Sequence, residues 1–495
     1  MSISPSPTSA LLFEPETRLF IDGRLRESLS GATAEVVNPA TEEVLGVCAD
    51  AGAADVEIAI GAARHAFDTT SWSTDHAFRQ HCLMQLHTAL QADKEQLRQE
   101  LVAEGGTPIS STNFQVDWPL SEAISWPAGF IAEFAWERQL TDSDLMGFPY
   151  HRSVVKEAIG VVGAIAPWNF PVEIVANKLG QILATGNTVV LKPAIETPWN
   201  AMRFGRLIAE HTDIPAGVVN IVTTADNASA QLLVTDPRVD MISFTGSSAV
   251  GQLIQQLSGP LMKRNLLELG GKSAYLVLDD ADMDAVLPGC VGALVHSGQG
   301  CALATRMLVP RHVYDTAIDI ATATFAATPV GDPTDPTTFC GPLITARQRD
   351  RVLAHITGAV EQGGRITTGG GVPAGLDRGY FVAPTVIADV SPDSRIFAEE
   401  VFGPVLSITP YDGGDDGAVA LANHSPYGLS GAVMGSPERA MAVARRLRTG
   451  TVNVNGANFY GADAPFGGYK LSGVGRQNGV EGFEQHLQTK TLAYP

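Results

Sequence analysis

The chain has 495 residues, of which 45% are hydrophobic and 17% charged, and its formal net charge is −20. This composition is typical of a globular protein of two or three domains with a large core, and it excludes a disordered or fibrous chain. The strong acidity argues against nucleic acid or an anionic membrane surface as a main partner.

The first twenty residues and the cysteines indicate the compartment. "MSISPSPTSALLFEPETRLF" has neither a basic segment nor a sufficient apolar core for a signal peptide, so we expect a flexible arm. No apolar run approaches the ~18 residues that a membrane span needs. Cysteines at positions 48, 82, 290, 301 and 340 fit neither a disulfide framework nor a zinc knuckle. We therefore expect a cytoplasmic protein with no membrane segment and no bound metal ion.

From about residue 157, apolar runs of strand length alternate with helical stretches. "IGVVGAIAPW" and "GNTVVLKPA" are almost continuously apolar, and "EIVANKLGQILAT" between them has helical spacing. "GVVNIVT" and "MISFTG" follow, each with room for a helix before it. Strands that are apolar on both faces and separated by helices indicate a parallel sheet covered on both sides. The predicted fold class is α/β with a Rossmann-like, nucleotide-binding sheet.

A second α/β region begins near "NLLELGGKSAYLVLDD" and runs towards "PFGGYKLSG". The segment "LTDSDLMGFPYHRSVVKEA" interrupts the alternation, and its Gly-Phe-Pro turn between short extended pieces predicts a protruding hairpin. We place the first α/β domain at residues 1–139 and 157–267 and the second at 268–478. Residues 140–156 contain the predicted hairpin, and the family resemblance given below groups them with residues 479–495 in a small β element.

Two nucleotide-binding motifs fail on spacing. A Walker loop around "LGGKS" would need a glycine where Leu266 stands, and "GVVGAIAPWNF" lacks the three glycines of a dinucleotide fingerprint. "FTGSSAVGQLI" instead has Gly246 and Gly251 between a strand and a helix, where a pyrophosphate could approach backbone N–H groups. An ordinary glycine-rich turn is the alternative.

Seven segments in order resemble the NAD(P)-dependent aldehyde dehydrogenases: "APWNFP", "GNTVVLKPA", "FTGSSAVG", "LELGGKS", "GQGC", "EEVFGPV" and "PFGGYKLSGVGR". The similarity runs from "NPATEEV" at residue 38 almost to the C-terminus. The resemblance implies that the first domain binds the cofactor, that the second carries the catalytic cysteine, and that the small β element pairs subunits into a homodimer or homotetramer.

The resemblance also implies the catalytic roles. Cys301 is the expected nucleophile, because an aldehyde gives up hydride only after a thiolate has added to its carbon. Asn169, with the Cys301 N–H, would stabilise the oxyanion, and Glu268 would activate the water that hydrolyses the thioester. Lys178 resembles a lysine on a proton path from this base.

By the same resemblance, Lys192 binds the adenosine ribose, Ser247 a phosphate and Glu400 the nicotinamide ribose, while Phe402 packs beside the nicotinamide. The remaining expected cofactor-binding positions are Trp168, Ala194, Ile195, Gly246, Gly251, Leu269 and Gly270.

The chain departs from the family pattern at three places. Ile195 stands where NAD-preferring members commonly carry a glutamate, so we expect both NAD and NADP to be used or NAD to bind weakly. Asn177 replaces a common tunnel tryptophan, with Glu173 one turn earlier, so the aldehyde pocket is more polar. Gln477 replaces a usual glutamate and is assigned no role. The expected aromatic walls of the pocket are Phe170, Tyr460 and Phe466.

Three alternatives stay open at this point. In a CoA-acylating semialdehyde dehydrogenase CoA would release the acyl group, although that subclass generally lacks the carboxylate base that Glu268 provides. A non-catalytic protein on the same fold would have lost the catalytic residues. A cysteine hydrolase with His296 as base would need a spatial arrangement that the sequence does not show.

Overall fold

The computed structural model describes residues 13–495, so most of the predicted N-terminal arm lies outside the described residues. Residues 13–20 of that arm are described, and at the end of the arm the prediction of a flexible segment is wrong. Leu19–Ile21 is a buried strand that pairs with the sheet through Phe20 and Ile221. Three consecutive apolar side chains have enough surface to hold this segment in the core.

The first sheet contains the predicted strands, and its central members are parallel. From edge to edge, the order among the described residues is Arg24–Arg26, Leu19–Ile21, Val219–Ile221, Thr188–Lys192, Val161–Ile165, Met241–Thr245, Arg264–Glu268 and Gly473–Val474. The outer strands Leu19–Ile21 and Gly473–Val474 run antiparallel to their inner neighbours.

Helices cover this sheet on both faces, which explains why its strands are apolar throughout. The α-helices that precede or join its strands are Ala53–Thr69, His76–Gly105, Trp118–Glu122, Ser125–Glu133, Pro171–Ala184, Pro198–His211, Asn227–Thr235 and Ser248–Ser258. Short 3-10 or π-helical turns lie at Ile109–Ser111, Asn113–Asp117 and Gly259–Leu261.

The second sheet is also mainly parallel. Its order is Arg365–Thr368, Thr385–Ala388, Val405–Tyr411, Arg306–Pro310, Ala274–Val277, Gly431–Met434 and Asn453–Val454. Alternate side chains enter separate cores: Leu276 and Leu308 pack on one face, and Val277 and Met307 on the other. This period of two places apolar cores on both faces of the sheet.

The helical segments that follow residue 282 are Met283–Val286, Leu287–Gly298, Arg311–Val313, Tyr314–Ala326, Ala346–Glu361, Arg395–Ala398, Gly414–Asn423, Pro437–Ala444, Lys470–Ser472 and Gly479–Gln485. The mixed α/β fold with parallel sheets confirms the predicted fold class.

The predicted hairpin is present. Ser143–Leu145 pairs antiparallel with Phe148–Ala158, which also pairs with Glu137–Gln139 and with the C-terminal strand Leu487–Tyr494. A separate two-stranded sheet joins Thr33–Val37 and Val44–Ala49. The domain boundaries stay a prediction. Strand Gly473–Val474 lies in the range given to the second domain, but it pairs with the last parallel strand of the first sheet.

Candidate active site

Cys301 and Glu268 line one cavity of about 540 Å³. Glu268 is the last residue of its strand, and Cys301 follows the helical segment Leu287–Gly298. The carboxyl ends of parallel strands open onto a crevice where ligands commonly bind in α/β folds. The fold therefore brings together the predicted nucleophile and the predicted base.

The loop before Cys301 has an unusual backbone. His296, Ser297 and Gly298 all have positive φ, at 48°, 54° and 74°. Positive φ is uncommon for residues other than glycine and is costly unless the surroundings fix it. A Cβ added to Gly298 would lie 2.7 Å from the Pro404 nitrogen and closer still to the Gly403 carbonyl. Gly298 therefore lets the cysteine loop touch the loop that carries Glu400 and Phe402.

His296 does not line the cavity with Cys301. Its ring is 1% exposed, its Nδ1 lies 3.5 Å from Thr107 Oγ1, and it packs edge-on against Phe170 with centroids 5.5 Å apart. Burial lowers the pKa of His296 to about 4. A histidine that is this weakly basic and is not among the described lining residues of the cavity does not fit the role of base in a cysteine hydrolase.

The electrostatics keep the Cys301 thiol protonated at neutral pH. Burial is the largest cause that raises its pKa, followed by the negative charges of Glu400, Glu268 and Glu173. Sulfur therefore needs a base at the moment of attack.

Glu268 is suited to accept that proton. Burial raises its pKa to about 8, and the charges of Lys178 and Arg476 oppose the rise. Neither carboxylate oxygen has a hydrogen-bond partner among the described residues. Hydrogen bonding would stabilise the ionised form, so its absence leaves Glu268 an unusually strong base for a carboxylate.

Lys178 lies behind this carboxylate on the helix Pro171–Ala184. Its ammonium donates to Ser243 Oγ at 3.0 Å, and burial lowers its pKa to about 7. Burial is the main cause of both shifts, and each group's charge favours the ionised form of the other.

Asn169 lies between strand Val161–Ile165 and helix Pro171–Ala184 and is 4% exposed. Its Nδ2 donates to the Gln299 carbonyl at 2.8 Å, two residues before Cys301. This bond fixes the amide against the cysteine loop, and the second amide N–H has no acceptor among residues 13–495.

The expected substrate-pocket residues lie on the wall of the same cavity: Phe170, Glu173, Asn177, Tyr460 and Phe466. Asn177 Nδ2 donates to Tyr460 Oη at 3.3 Å. Gln477 also lines the cavity, and its backbone exchanges two hydrogen bonds with that of Phe466. Motif reasoning missed four aromatic lining residues, Phe114, Trp118, Tyr275 and Phe459.

Glu400 is fixed by the residues around it. Its Oε1 accepts the Gly271 N–H at 2.9 Å, and its backbone carbonyl accepts from Arg351 at 2.7 Å. A Cβ at Gly270 would lie 2.8 Å from the Glu400 Cδ, so glycine is needed there. Sequence reasoning missed Arg351, which belongs to none of the seven motifs.

The two expected aromatic residues of the cofactor site pack together. The rings of Trp168 and Phe402 are edge to face, with centroids 5.4 Å apart, and Phe402 has φ of +60°. Phe402 directly precedes Gly403, whose carbonyl meets the cysteine loop at Gly298. The pair is thereby connected to the cysteine loop.

The expected dinucleotide residues lie at the carboxyl edge of the first sheet. Lys192 ends its strand, where burial lowers its pKa, and Ala194 is almost buried. Ser247 caps the helix Ser248–Ser258 by accepting the Val250 N–H, and Gly246 donates to the Glu268 carbonyl at 3.0 Å. The N-terminus of this helix can accommodate a phosphate.

Gly251 has a packing role that its spacing did not predict. A Cβ there would lie 2.7 Å from a Leu269 methyl, so the glycine makes room for that buried leucine. Ile195 is half-buried against Val36, Cys48 and Trp199. Its side chain supplies no hydrogen-bonding group.

Comparison with known proteins defines the class. A model of the aldehyde dehydrogenase family matches residues 26–492. A 3-succinoylsemialdehyde-pyridine dehydrogenase from Pseudomonas sp is 39% identical over 477 residues, which cover 96% of this chain and 97% of that protein. The chain belongs to the aldehyde dehydrogenase family.

Solved structures agree. A variant of aldehyde dehydrogenase C from Pseudomonas syringae, in complex with NAD+ and octanal, matches with a TM-score of 0.91 at 38% identity over 98% of each chain. An aldehyde dehydrogenase from Mycobacterium tuberculosis, in complex with NAD+, matches with a TM-score of 0.92 at 39% identity over 97% of this chain and 98% of that one. The chain is an aldehyde-oxidising enzyme, as the sequence predicted, and the non-catalytic alternative is not favoured.

Proposed function

We propose that the enzyme oxidises an aldehyde to its carboxylic acid with Cys301 as nucleophile, Glu268 as general base and NAD or NADP as oxidant. The carrying observation is the shared cavity, in which the thiol and a carboxylate free of hydrogen bonds face the same space. In the net reaction, the aldehyde and water become the acid while hydride passes to the dinucleotide and one proton is released.

Glu268 takes the thiol proton as the sulfur adds to the aldehyde carbon. Its pKa of about 8 makes it a stronger proton acceptor than Glu400, whose pKa is about 7. The new oxyanion is stabilised by the free N–H of Asn169 and by the Cys301 backbone N–H. Donors held in place before reaction typically contribute ~3 to 4 kcal/mol each.

A bound nicotinamide dinucleotide supplies the hydride acceptor. Glu268 passes the thiol proton to Lys178, which carries it away towards Ser243. Once the acyl group is on sulfur, the ionised Glu268 deprotonates the attacking water and returns that proton to the Cys301 sulfur as the acid leaves. Because Glu268 supplies the base, CoA is not needed to release the acyl group.

The residues present fit such a dinucleotide. A helix N-terminus with Ser247 accommodates a phosphate, and the buried Lys192 ammonium and Glu400 carboxylate offer a donor and an acceptor for ribose hydroxyls. NAD+ in the related structures supports NAD. Ile195 neither bonds a ribose hydroxyl nor repels a 2′-phosphate, so the proposal includes use of NADP or weak binding of NAD.

The test is formation of NADH or NADPH and acid across an aldehyde panel, with and without CoA. We expect acid without CoA from the wild type and none from Cys301→Ala. Acid release that depends on CoA would support the acylating alternative, and full activity of Cys301→Ala would overturn the proposal.

We also propose a homodimer or homotetramer built through the small β element. Met146 and Phe148 at the hairpin are 89% and 73% exposed, and exposed apolar side chains of this size favour burial in an interface. Light scattering of the wild type and of Phe148→Glu tests this, with dissociation expected for the variant.

A cytoplasmic location is likewise part of the proposal and is supported by the cysteines, all five of which are unpaired in the structure. Within residues 13–495, no helix has both the length and the apolar character for a membrane span.

A further inference from the structure

One wall of the aldehyde cavity carries a carboxylate that no step of the oxidation uses. Glu173 lines the cavity from the first turn of helix Pro171–Ala184, and Asn177 lies one turn further on the same face. Glu268, the other carboxylate on this cavity wall, is the base of the proposed reaction. Glu173 therefore has another role or none.

Polar but uncharged side chains lie near Glu173 on the cavity wall. Asn177 Nδ2 donates to the Tyr460 oxygen at 3.3 Å. Burial raises the pKa of Glu173 to about 7, and the nearby Tyr460 hydroxyl opposes the rise. No described cationic side chain forms an ion pair with it. Glu173 is half-buried, and a carboxylate partly removed from water with no cation beside it gains from a positive partner.

The rest of the wall is suited to such a partner. Aromatic rings line the cavity from Phe114, Trp118, Phe170, Phe459, Tyr460 and Phe466. No lysine, arginine or histidine is among the described lining residues. An aldehyde bearing a carboxylate would meet the carboxylates of Glu173 and Glu268 and no cation. A positive group would instead meet aromatic rings and the carboxylate of Glu173, which the oxidation does not use.

We propose that this cavity selects aldehydes whose far end carries a cationic nitrogen, which pairs with Glu173 among the aromatic rings. The inference rests on the proposed function, because it takes attack by Cys301 as given.

The test compares two aldehydes of the same shape, 4-(trimethylammonio)butanal and 5,5-dimethylhexanal, which differ by a nitrogen cation in place of a carbon. NADH formation gives kcat/KM for each. We expect the wild type to favour the cation by about tenfold or more, and Glu173→Gln to reduce this ratio by about tenfold. Taking the ratio removes any general loss of activity in the variant.

Glu122→Gln is the matched control. This neighbouring carboxylate accepts the Ala462 N–H at 3.1 Å and is not among the described lining residues, so its loss removes a nearby charge without changing the wall. The ratio should stay within about twofold of the wild type.

Should Glu173→Gln fail to fold, the wild type still decides the matter: butyltrimethylammonium should protect Cys301 from alkylation by iodoacetamide in the absence of aldehyde. The cation inference is overturned if the wild type oxidises both aldehydes with similar kcat/KM and butyltrimethylammonium does not protect Cys301. Oxidation of the neutral aldehyde in that case would still support the proposed function. Absence of NADH or NADPH from either aldehyde, and from a wider panel, overturns both.

Discussion

Replacing Gly298 with alanine tests the contact between the cysteine loop and the Glu400 loop. The added Cβ would lie 2.7 Å from the Pro404 nitrogen, where ordinary contacts begin near ~3.4 Å, so the two backbones must separate by about 1 Å. The positive φ of 74° adds about 1 to 2 kcal/mol of strain, and overpacking typically adds about 1 to 3. We expect the free energy of unfolding to fall by about 2 to 4 kcal/mol.

The effect on activity should be larger than a simple loss of stability explains. Cys301 follows Gly298 by three residues, and a misplacement of about 1 Å can cost about 100-fold in rate. The assay is denaturant unfolding together with kcat measured at a temperature where the variant is folded. Gly358→Ala, in helix Ala346–Glu361, is the control, because nothing lies within 4 Å of its added Cβ. Wild-type stability and kcat for Gly298→Ala would refute this reasoning.

Three further changes follow from the site. The Glu268 carboxyl, with its pKa raised to about 8, is protonated below that pH and then cannot act as a base. The rate of acyl release should therefore rise about tenfold per pH unit up to about pH 8 and then level. A rate that is independent of pH from about 6 to about 9 would contradict this. Asn169→Ala should stay folded but lose about 100- to 1,000-fold in kcat, and retention of more than a tenth of kcat would exclude Asn169 as an oxyanion donor. Ile195→Glu should raise kcat/KM for NAD and lower it for NADP by about tenfold each, and no change in either would remove the basis for dual use.

Sequence reasoning identified the parts of the site that chemistry restricts most strongly. Cys301 and Glu268 lie in glycine-containing motifs, and the structure shows why glycine is present: other backbone segments lie too close for a side chain. At Gly271, for example, a Cβ would collide with the Cys301 carbonyl. The parallel sheets follow from runs that are apolar on both faces. These features are local, so the chain shows them directly.

The rest depends on contacts between distant segments. Trp118 reaches the cavity by packing edge-on against Tyr460, with ring centroids 4.9 Å apart across more than 300 residues of chain. Arg351 reaches Glu400 from a helix with no motif. Neither position has a signal in its own neighbourhood, because an aromatic or a basic residue on a helix is equally common without such a role.

The most direct test of the central claim is mass spectrometry of Glu268→Gln, quenched soon after mixing with aldehyde and NAD or NADP. Without this base both steps slow, but hydrolysis of the thioester slows more. The thiol can lose its proton to solvent before the aldehyde arrives, whereas the water must lose its proton during its attack. The account predicts about one reduced dinucleotide per active site and an acyl adduct on the peptide that contains Cys301. Rapid steady turnover in this variant, or an adduct confined to another residue, would contradict it.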